Sequence, residues 1–245
     1  MVDFYCVGWL PQFGAMRLVA AALLTIAFAS LARLVRGVSV SGSIAGAMVA
    51  FLLYASSGPG AFGALISVFA LTWIATGFGY RRKQRLGLAE NDQGRTASQV
   101  LANLSTAAAF SVAFAFTGKL VCVLATAAAL SEAAADTVSS ELGQAREGSA
   151  RLITTFKLVP TGTDGGVTIM GTVAGIAAAV VVAAVCVLTR VVPARWFWIA
   201  LLAGSAGMIF DSFLGATFER RGWLNNDGVN FLGTLFAAGL AILLA

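Results

Sequence analysis

The sequence predicts an all-α integral membrane protein: a polytopic bundle of about eight transmembrane helices, forming a single domain over residues 1–245. Three observations predict it. Of the 245 residues, 59% are hydrophobic and 11% charged, and the mean hydropathy of +0.88 exceeds what a soluble core could hide. Apolar runs of about 20 residues, the length that crosses the hydrocarbon of a bilayer, recur between short polar connections. The 16 Lys and Arg residues also fall unevenly between alternate connections.

In chain order the spans run Gly14 to Arg36, Val40 to Ser56, Pro59 to Tyr80, Thr96 to Phe116, Lys119 to Ser139, Gly166 to Arg190, Ala194 to Ala216 and Gly228 to Ala245. Each is bounded by charge or by Gly and Pro. The Ala-rich sequence around Phe28 to Ser30 imitates a signal-cleavage site, but the segment before it lacks a basic n-region and carries Asp3, so it reads as a retained first helix. The second span is short. Gly42-Ser43-Ile44-Ala45-Gly46 within it resembles Gly171-Thr172-Val173-Ala174-Gly175 in the sixth, 129 residues later (171 − 42), and Asn103 stands 127 residues before Asn230 (230 − 103). Such spacing suggests two parallel four-helix halves. Chance matching in Gly/Ala-rich sequence is the alternative, since small residues serve helix packing in either case.

The bases orient the bundle. Connections one, three, five and seven hold Arg33 and Arg36; Arg81, Arg82, Lys83, Arg85 and Arg95; Arg146, Arg151 and Lys157; Arg220 and Arg221. The opposite side holds Arg17, Lys119, Arg190 and Arg195. The positive-inside rule then places both termini outside and the basic connections in the cytoplasm, with a bacterial inner (plasma) membrane as the default location. A pI near 9.6 fits loops that meet anionic membrane lipids and phosphate. No basic-aromatic surface points to nucleic acid. The chain has no histidine, which excludes His-based catalysis and His-ligated metals, and Cys6, Cys122 and Cys186 have neither disulfide nor metal spacing. Any metal must be a hard ion held by oxygen. A homodimer is left open.

Acidic and amide residues collect in three Gly-rich segments, Asn91 to Asn103, Ser131 to Gly166 and Asp211 to Asn230, all on the predicted cytoplasmic side. A carboxylate near the bilayer is costly, so these segments are the active-site candidates. In the middle one, Glu132, Asp136 and Ser140 stand four residues apart on one helical stripe, which suits Mg²⁺ because that ion takes one or two carboxylates and fills its shell with water and phosphate. Downstream, Thr161-Gly162-Thr163-Asp164-Gly165-Gly166 leads into a helix. Such a turn can surround an anion with backbone N–H groups, with Lys157 as a nearby point charge; it lacks the Gly-Lys-Ser/Thr ending of a Walker A loop. Asp211 lies inside a span and needs a cation or a proton. Arg95 offers a phosphate contact. Gln99 and Asn103 share a face and either bind a nucleotide base or the lipid phosphate, or tie their helix to its neighbours.

These residues carry a resemblance. Arg95-Thr96-x-x-Gln99-Val100-x-x-Asn103, Ala135-Asp136-Thr137-x-x-Ser140-Glu141-x-Gly143, Pro160-x-Gly162-Thr163-x-Gly165-Gly166, and Asp211-Ser212-x-x-Gly215-Ala216-Thr217 with Asn226-Asp227-x-Val229-Asn230 resemble, in matching order, the membrane family of plant phytyl-phosphate kinase and transmembrane protein 19. The chain departs from that family's pattern at Val138, where an aromatic residue is common, and at Met208 to Phe210, where a Gly-rich approach is usual. The resemblance implies an enzyme that phosphorylates an isoprenoid monophosphate to the diphosphate, with CTP or another nucleoside triphosphate as donor. It further implies Asp136 and Asp211 as Mg²⁺ ligands with Glu132 beside them, and Glu141 and Lys157 as catalytic candidates. Arg95, Gln99, Asn103, Ser140, Gly162, Thr163, Asp164, Gly165, Gly166, Ser212, Asn226 and Asn230 are then candidates for binding the co-substrates. Two enzyme alternatives, a cytidylyltransferase and a polyprenol kinase, would use the same groups on another bond or acceptor. From a different class, a transporter of anionic solutes would also explain the intramembrane carboxylates.

Overall fold

The structure, a computed structural model, describes residues 14–145 and 148–245. Asp3, Cys6 and Arg146, used in the sequence reading, lie outside the described residues. Among the described residues, eight helices are long and apolar enough to span a membrane: α1 (Ala15–Leu34), α2 (Val40–Ser57), α3 (Pro59–Gly77), α5 (Ala97–Thr117), α6 (Leu120–Ala145), α7 (Ile169–Leu188), α8 (Phe197–Leu214) and α9 (Asn226–Leu243). A short α4 (Tyr80–Arg85) follows α3. The helix-turn residues account for the boundaries. Ser39, Thr168 and Asn225 cap α2, α7 and α9 by accepting from Gly42, Gly171 and Gly228 N–H, and Thr96 and Gln99 form a capping box at α5. Pro59 occupies the first turn of α3, where its missing N–H costs nothing.

Two differences from the sequence reading matter. Helix α6 does not stop at Ser139 but continues to Ala145, because nothing in Ser139-Ser140-Glu141 breaks it and α7 supports its last turns. Between α6 and α7 lies a small sheet that the sequence reading took as turn: β1 (Ala150–Leu152) pairs antiparallel with β2 (Leu158–Val159) and β3 (Gly166–Val167). Its strands are two or three residues long, too short to show an alternating pattern.

Helix α6 is the centre of the bundle. Helices α3, α5, α7, α8 and α9 all pack against it. It is buried on nearly every side, and its composition suits that place, since Ala127, Ala128, Ala129, Ala133, Ala134 and Ala135 leave room for close neighbours. The neighbours answer with glycine. A Cβ on Gly175 of α7 would come within 2.6 Å of the Ala135 carbonyl oxygen, and one on Gly204 of α8 within 2.7 Å of Ser131 Cβ. Between such helices the attraction is packing rather than hydrophobic exclusion, so close approach is the main source of cohesion.

Helices α2 and α7 begin 129 residues apart (169 − 40), as do α5 and α9 (226 − 97), whereas α3 and α8 begin 138 apart (197 − 59) and α1 and α6 begin 105 apart (120 − 15). The two halves also pack differently. Helix α2 lies along α5, whereas α9 lies along α6 and α8. Gly175→Leu should lower stability by about 1–3 kcal/mol through overpacking, read as a fall in the thermal unfolding midpoint in detergent; Gly239→Ala, where a Cβ meets nothing within 4 Å, should leave the midpoint unchanged.

Candidate active site

At one end of the bundle the beginnings of α5, α7 and α9 meet the closing turns of α6 and α8. Between them is a polar cavity of about 380 Å³. It gathers all three polar segments. Arg95, Gln99 and Asn103, Asp136, Ser140 and Glu141, the Gly162–Gly166 turn, Asp211 and Ser212, and Asn226 and Asn230 all line it.

Arg95 is placed by backbone rather than by its own side chain. It pairs with Val38 in an isolated parallel bridge, donating its N–H to the Gly37 carbonyl (3.2 Å) while its carbonyl accepts from Ser39 N–H (2.9 Å). Two glycines make this clamp. Gly94, at φ 80°, lies against the Arg36–Val38 backbone within 2.6 Å of where a Cβ would be, and a Cβ on Gly42 would overlap the Arg95 carbonyl. The guanidinium then reaches the cavity, donating to Thr137 Oγ1 (3.3 Å) with Glu141 at 3.9 Å and Glu90 at 4.0 Å.

Asp136 on α6 and Asp211 on α8 face one another, their carboxyl groups within hydrogen-bonding reach. Glu132 lies one turn deeper on α6, 1% exposed. Gly233 of α9 fits between, for a Cβ there would stand 2.6 Å from Glu132 Oε1 and 3.3 Å from Asp211 Oδ2. Among the described residues these two oxygens, Glu132 Oε1 and Asp211 Oδ2, are buried and accept no hydrogen bond. Unsatisfied carboxylate oxygens facing a polar cavity suit a cation. No group of three or more Asp, Glu, His or Cys side chains among the described residues closes on one ion position. The chain alone thus offers an ion the facing pair, with Glu132 behind it, and leaves the remaining ligands to water and phosphate, as Mg²⁺ prefers.

Opposite the carboxylates is the β2–β3 turn. Gly165, at φ 70°, lies so close to Ala216 that a side chain would overlap that residue's backbone, and Gly162, at φ 87°, rests on Leu88. The turn is pressed against the π-helical turn Gly215–Glu219 that ends α8, a distortion often found at functional sites. The beginnings of α5, α7 and α9 add the positive ends of three helix dipoles. The cavity therefore sets carboxylates on one part of its wall and a glycine turn with helix N-termini on another.

Several candidate residues stand elsewhere or act differently. Lys157 is a correction: it is exposed, between β1 and β2, and is not part of the cavity wall, because the hairpin turns it away while the Gly162–Gly166 turn folds back to α8. Glu141 has both oxygens engaged, one by Lys83 and the other by Thr76 Oγ1 (2.9 Å). Gln99 Oε1 caps α5, and Asn103 donates to the Gln99 carbonyl (2.9 Å), so both amides are partly committed to their own helix. Sequence reasoning passed over Lys83 and Glu90. Lys83 is 0% exposed and also donates to the Thr76 carbonyl (2.8 Å), but within Arg81-Arg82-Lys83 nothing distinguished it from orienting bases. Glu90 accepts from Gln99 (3.2 Å) and stands next to the first polar segment, one residue before its assigned start. Nearby, Tyr80 donates to the Asp92 carboxylate, and that hydrogen bond holds the phenol above its ordinary range.

Fold and site together define a polytopic membrane protein with a polar cavity at one end of its helix bundle, lined by facing carboxylates, an arginine and a Gly-rich turn. The chain belongs to the family described as Integral membrane protein DUF92, which matches residues 23–238. It is 32% identical to Protein VTE6, chloroplastic, of Arabidopsis thaliana over 86% of this chain and 66% of that protein. It is 32% identical to the uncharacterized membrane protein MJ0933 of Methanocaldococcus jannaschii over 94% of each, and 31% identical to Protein PGR of Arabidopsis thaliana over 94% of this chain and 96% of that one. No solved structure matches it.

Breaking the Lys83–Glu141 pair from one side leaves Glu141 with Arg95, 3.9 Å away, as its remaining cationic partner. Lys83→Met should cost about 1–3 kcal/mol, and the double variant Lys83→Met/Glu141→Leu should recover part of that loss; chemical unfolding of both in the same detergent measures the difference.

Proposed function

We propose that the protein is a Mg²⁺-dependent isoprenoid-monophosphate kinase that transfers a phosphoryl group from CTP, or another nucleoside triphosphate, to a phytyl, geranylgeranyl or farnesyl phosphate. One observation carries the reading: the facing carboxylates Asp136 and Asp211 share a cavity with Arg95, a Gly-rich turn and three helix N-termini. Kinship with VTE6 supports a prenyl-phosphate kinase at family level, and the four ordered blocks resemble the phytyl-phosphate kinase family throughout.

Phosphoryl transfer asks mainly for positioning and charge neutralisation. Asp136 and Asp211 would hold Mg²⁺, with Glu132 behind them; the bound ion would neutralise donor phosphate oxygens. Backbone N–H groups of the Gly162–Gly166 turn and the N-terminus of α7 would bind donor phosphates. Asn226 and Asn230 at α9, with Ser212 and Ser140, supply neutral hydrogen-bonding groups around the nucleotide. Arg95 would orient the acceptor phosphate. An oxygen of that phosphate attacks the γ-phosphorus, the bond to the β-phosphate oxygen breaks, and the nucleoside diphosphate leaves with the electron pair. The acceptor is already an anion and needs little help from a base, which agrees with the engagement of Glu141 in ion pairs. In this reading the basic face is cytoplasmic, where the nucleotide is found, and the enzyme resides in a bacterial inner membrane.

Mass spectrometry of lipid products, after incubation with Mg²⁺, CTP and a mixture of farnesyl, geranylgeranyl and phytyl monophosphates, tests the proposal. The expected product is a diphosphate, lost on chelation of the metal. Asp136→Asn and Asp211→Asn should each reduce turnover by about 10²-fold or more while leaving the unfolding midpoint equal or higher, since each relieves a like-charge contact between buried carboxylates. Absence of product with every nucleoside triphosphate, or full activity in either variant, would sink the reading. A cytidylyl-lipid product would instead identify a cytidylyltransferase.

A further inference from the structure

Next to the polar cavity is a larger cleft, of about 740 Å³, with mostly apolar walls. It lies among α1, α2, α3 and the start of α5. Its charged residues, Arg36, Glu90, Asp92 and Arg95, come from the connections at the ends of these helices, and four wall residues, Glu90, Arg95, Gln99 and Asn103, belong to the polar cavity as well. The two spaces therefore meet at Arg95. A compound occupying both would carry its anionic group at the guanidinium and its hydrocarbon among the helices.

The glycines of α2 show where the free space begins. A Cβ on Gly42 would overlap the Arg95 carbonyl, whereas one on Gly46, a turn farther along, would meet nothing within 4 Å. Phe69, edge-to-face with Phe28 at 5.4 Å between ring centroids, lines the cleft with its ring against Gly37, next to the Arg95 bridge, while Leu65 lines it a turn farther back along α3. At about 740 Å³ and partly open to its surroundings, the cleft has room for a single prenyl-sized hydrocarbon chain. That suits one isoprenoid tail.

Resting on the kinase reading for the head group, we infer that this cleft receives the acceptor's isoprenoid tail and that the open space beside Gly46 sets the tail length it accepts. The tail enters with its phosphate at Arg95, and Gly46, a turn deeper than Gly42, keeps the inner stretch of the path open. Filling that space shortens the tail the protein accepts, with the polar cavity left intact.

Two measurements on the full-length protein in detergent or nanodiscs test this. First, a farnesyl monophosphate analogue bearing a terminal diazirine is photo-crosslinked to the wild-type protein and mapped by peptide mass spectrometry. Labels should fall on α1 and α3 near Phe28, Leu65 and Phe69, and geranylgeranyl phosphate should suppress them while phosphatidylglycerol vesicles do not. Second, Gly46→Trp, with Gly46→Leu as the milder variant, should lower kcat/KM for geranylgeranyl phosphate at least tenfold while changing that for geranyl phosphate less than twofold. Labels on the outer faces of the bundle, equal suppression by phosphatidylglycerol, or an equal effect of Gly46→Leu on both chain lengths would overturn the inference. Cleft labelling without any phosphoryl transfer would remove the kinase reading and keep the tail site; transfer with labels elsewhere would do the reverse.

Discussion

The close packing of α6 is the constraint on which the rest of the structure depends. A helix that carries Glu132, Asp136 and Glu141 cannot face lipid, because a carboxylate within a span costs on the order of 3 kcal/mol at a helix centre. Surrounding it with five helices requires a nearly featureless surface, and alanine provides one. Glycines on α7, α8 and α9 then bring neighbouring backbones to within van der Waals contact, so that Gly207 and Gly233 press directly on Glu132. Substitution at these glycines moves the carboxylates as well as the helices. Packing and site are thus set by the same residues.

Helix direction supplies the electrostatics. Because the chain crosses back and forth, α6 and α8 arrive at the site by their C-terminal ends while α5, α7 and α9 leave it by their N-termini. The arriving helices carry Asp136, Asp211 and Glu219, and the departing ones present capped first turns. Carboxylates and helix N-termini consequently alternate around one cavity, which is the arrangement that the proposed metal–phosphate ligand would need. Charged side chains refine this field. Lys83, fully buried, and Glu141 form a pair that fixes the guanidinium environment of Arg95 without exposing either charge to lipid.

Arg95 is also where polar and apolar spaces join. Its backbone is held by the α1–α2 connection and its side chain by Thr137 on α6, so one residue couples the peripheral helices α1 and α2 to the central one. An amphiphilic substrate makes sense of that coupling, since head and tail must be read by different parts of the bundle. The peripheral helices would discriminate the tail, and the central ones would carry out the chemistry.

The sequence by itself determined the membrane class, the eight spans and the grouping of the three polar segments at one end, because hydropathy and charge along the chain respond to the bilayer whatever the helices do next. It also singled out Asp136 and Asp211, which are costly inside a span, and the Gly162–Gly166 turn, whose closely spaced glycines set it apart from the other connections. Only tertiary structure decided which groups are free. Glu141, Gln99 and Asn103 turned out to be engaged by Lys83, the α5 cap and a helix carbonyl, and Lys157 was turned away by a hairpin with strands too short to leave a pattern. Lys83 and the apolar cleft were invisible for a related reason. A buried lysine within a basic run and a gap between apolar helices have the same composition as their exposed or filled counterparts, and only the packing of neighbours distinguishes them.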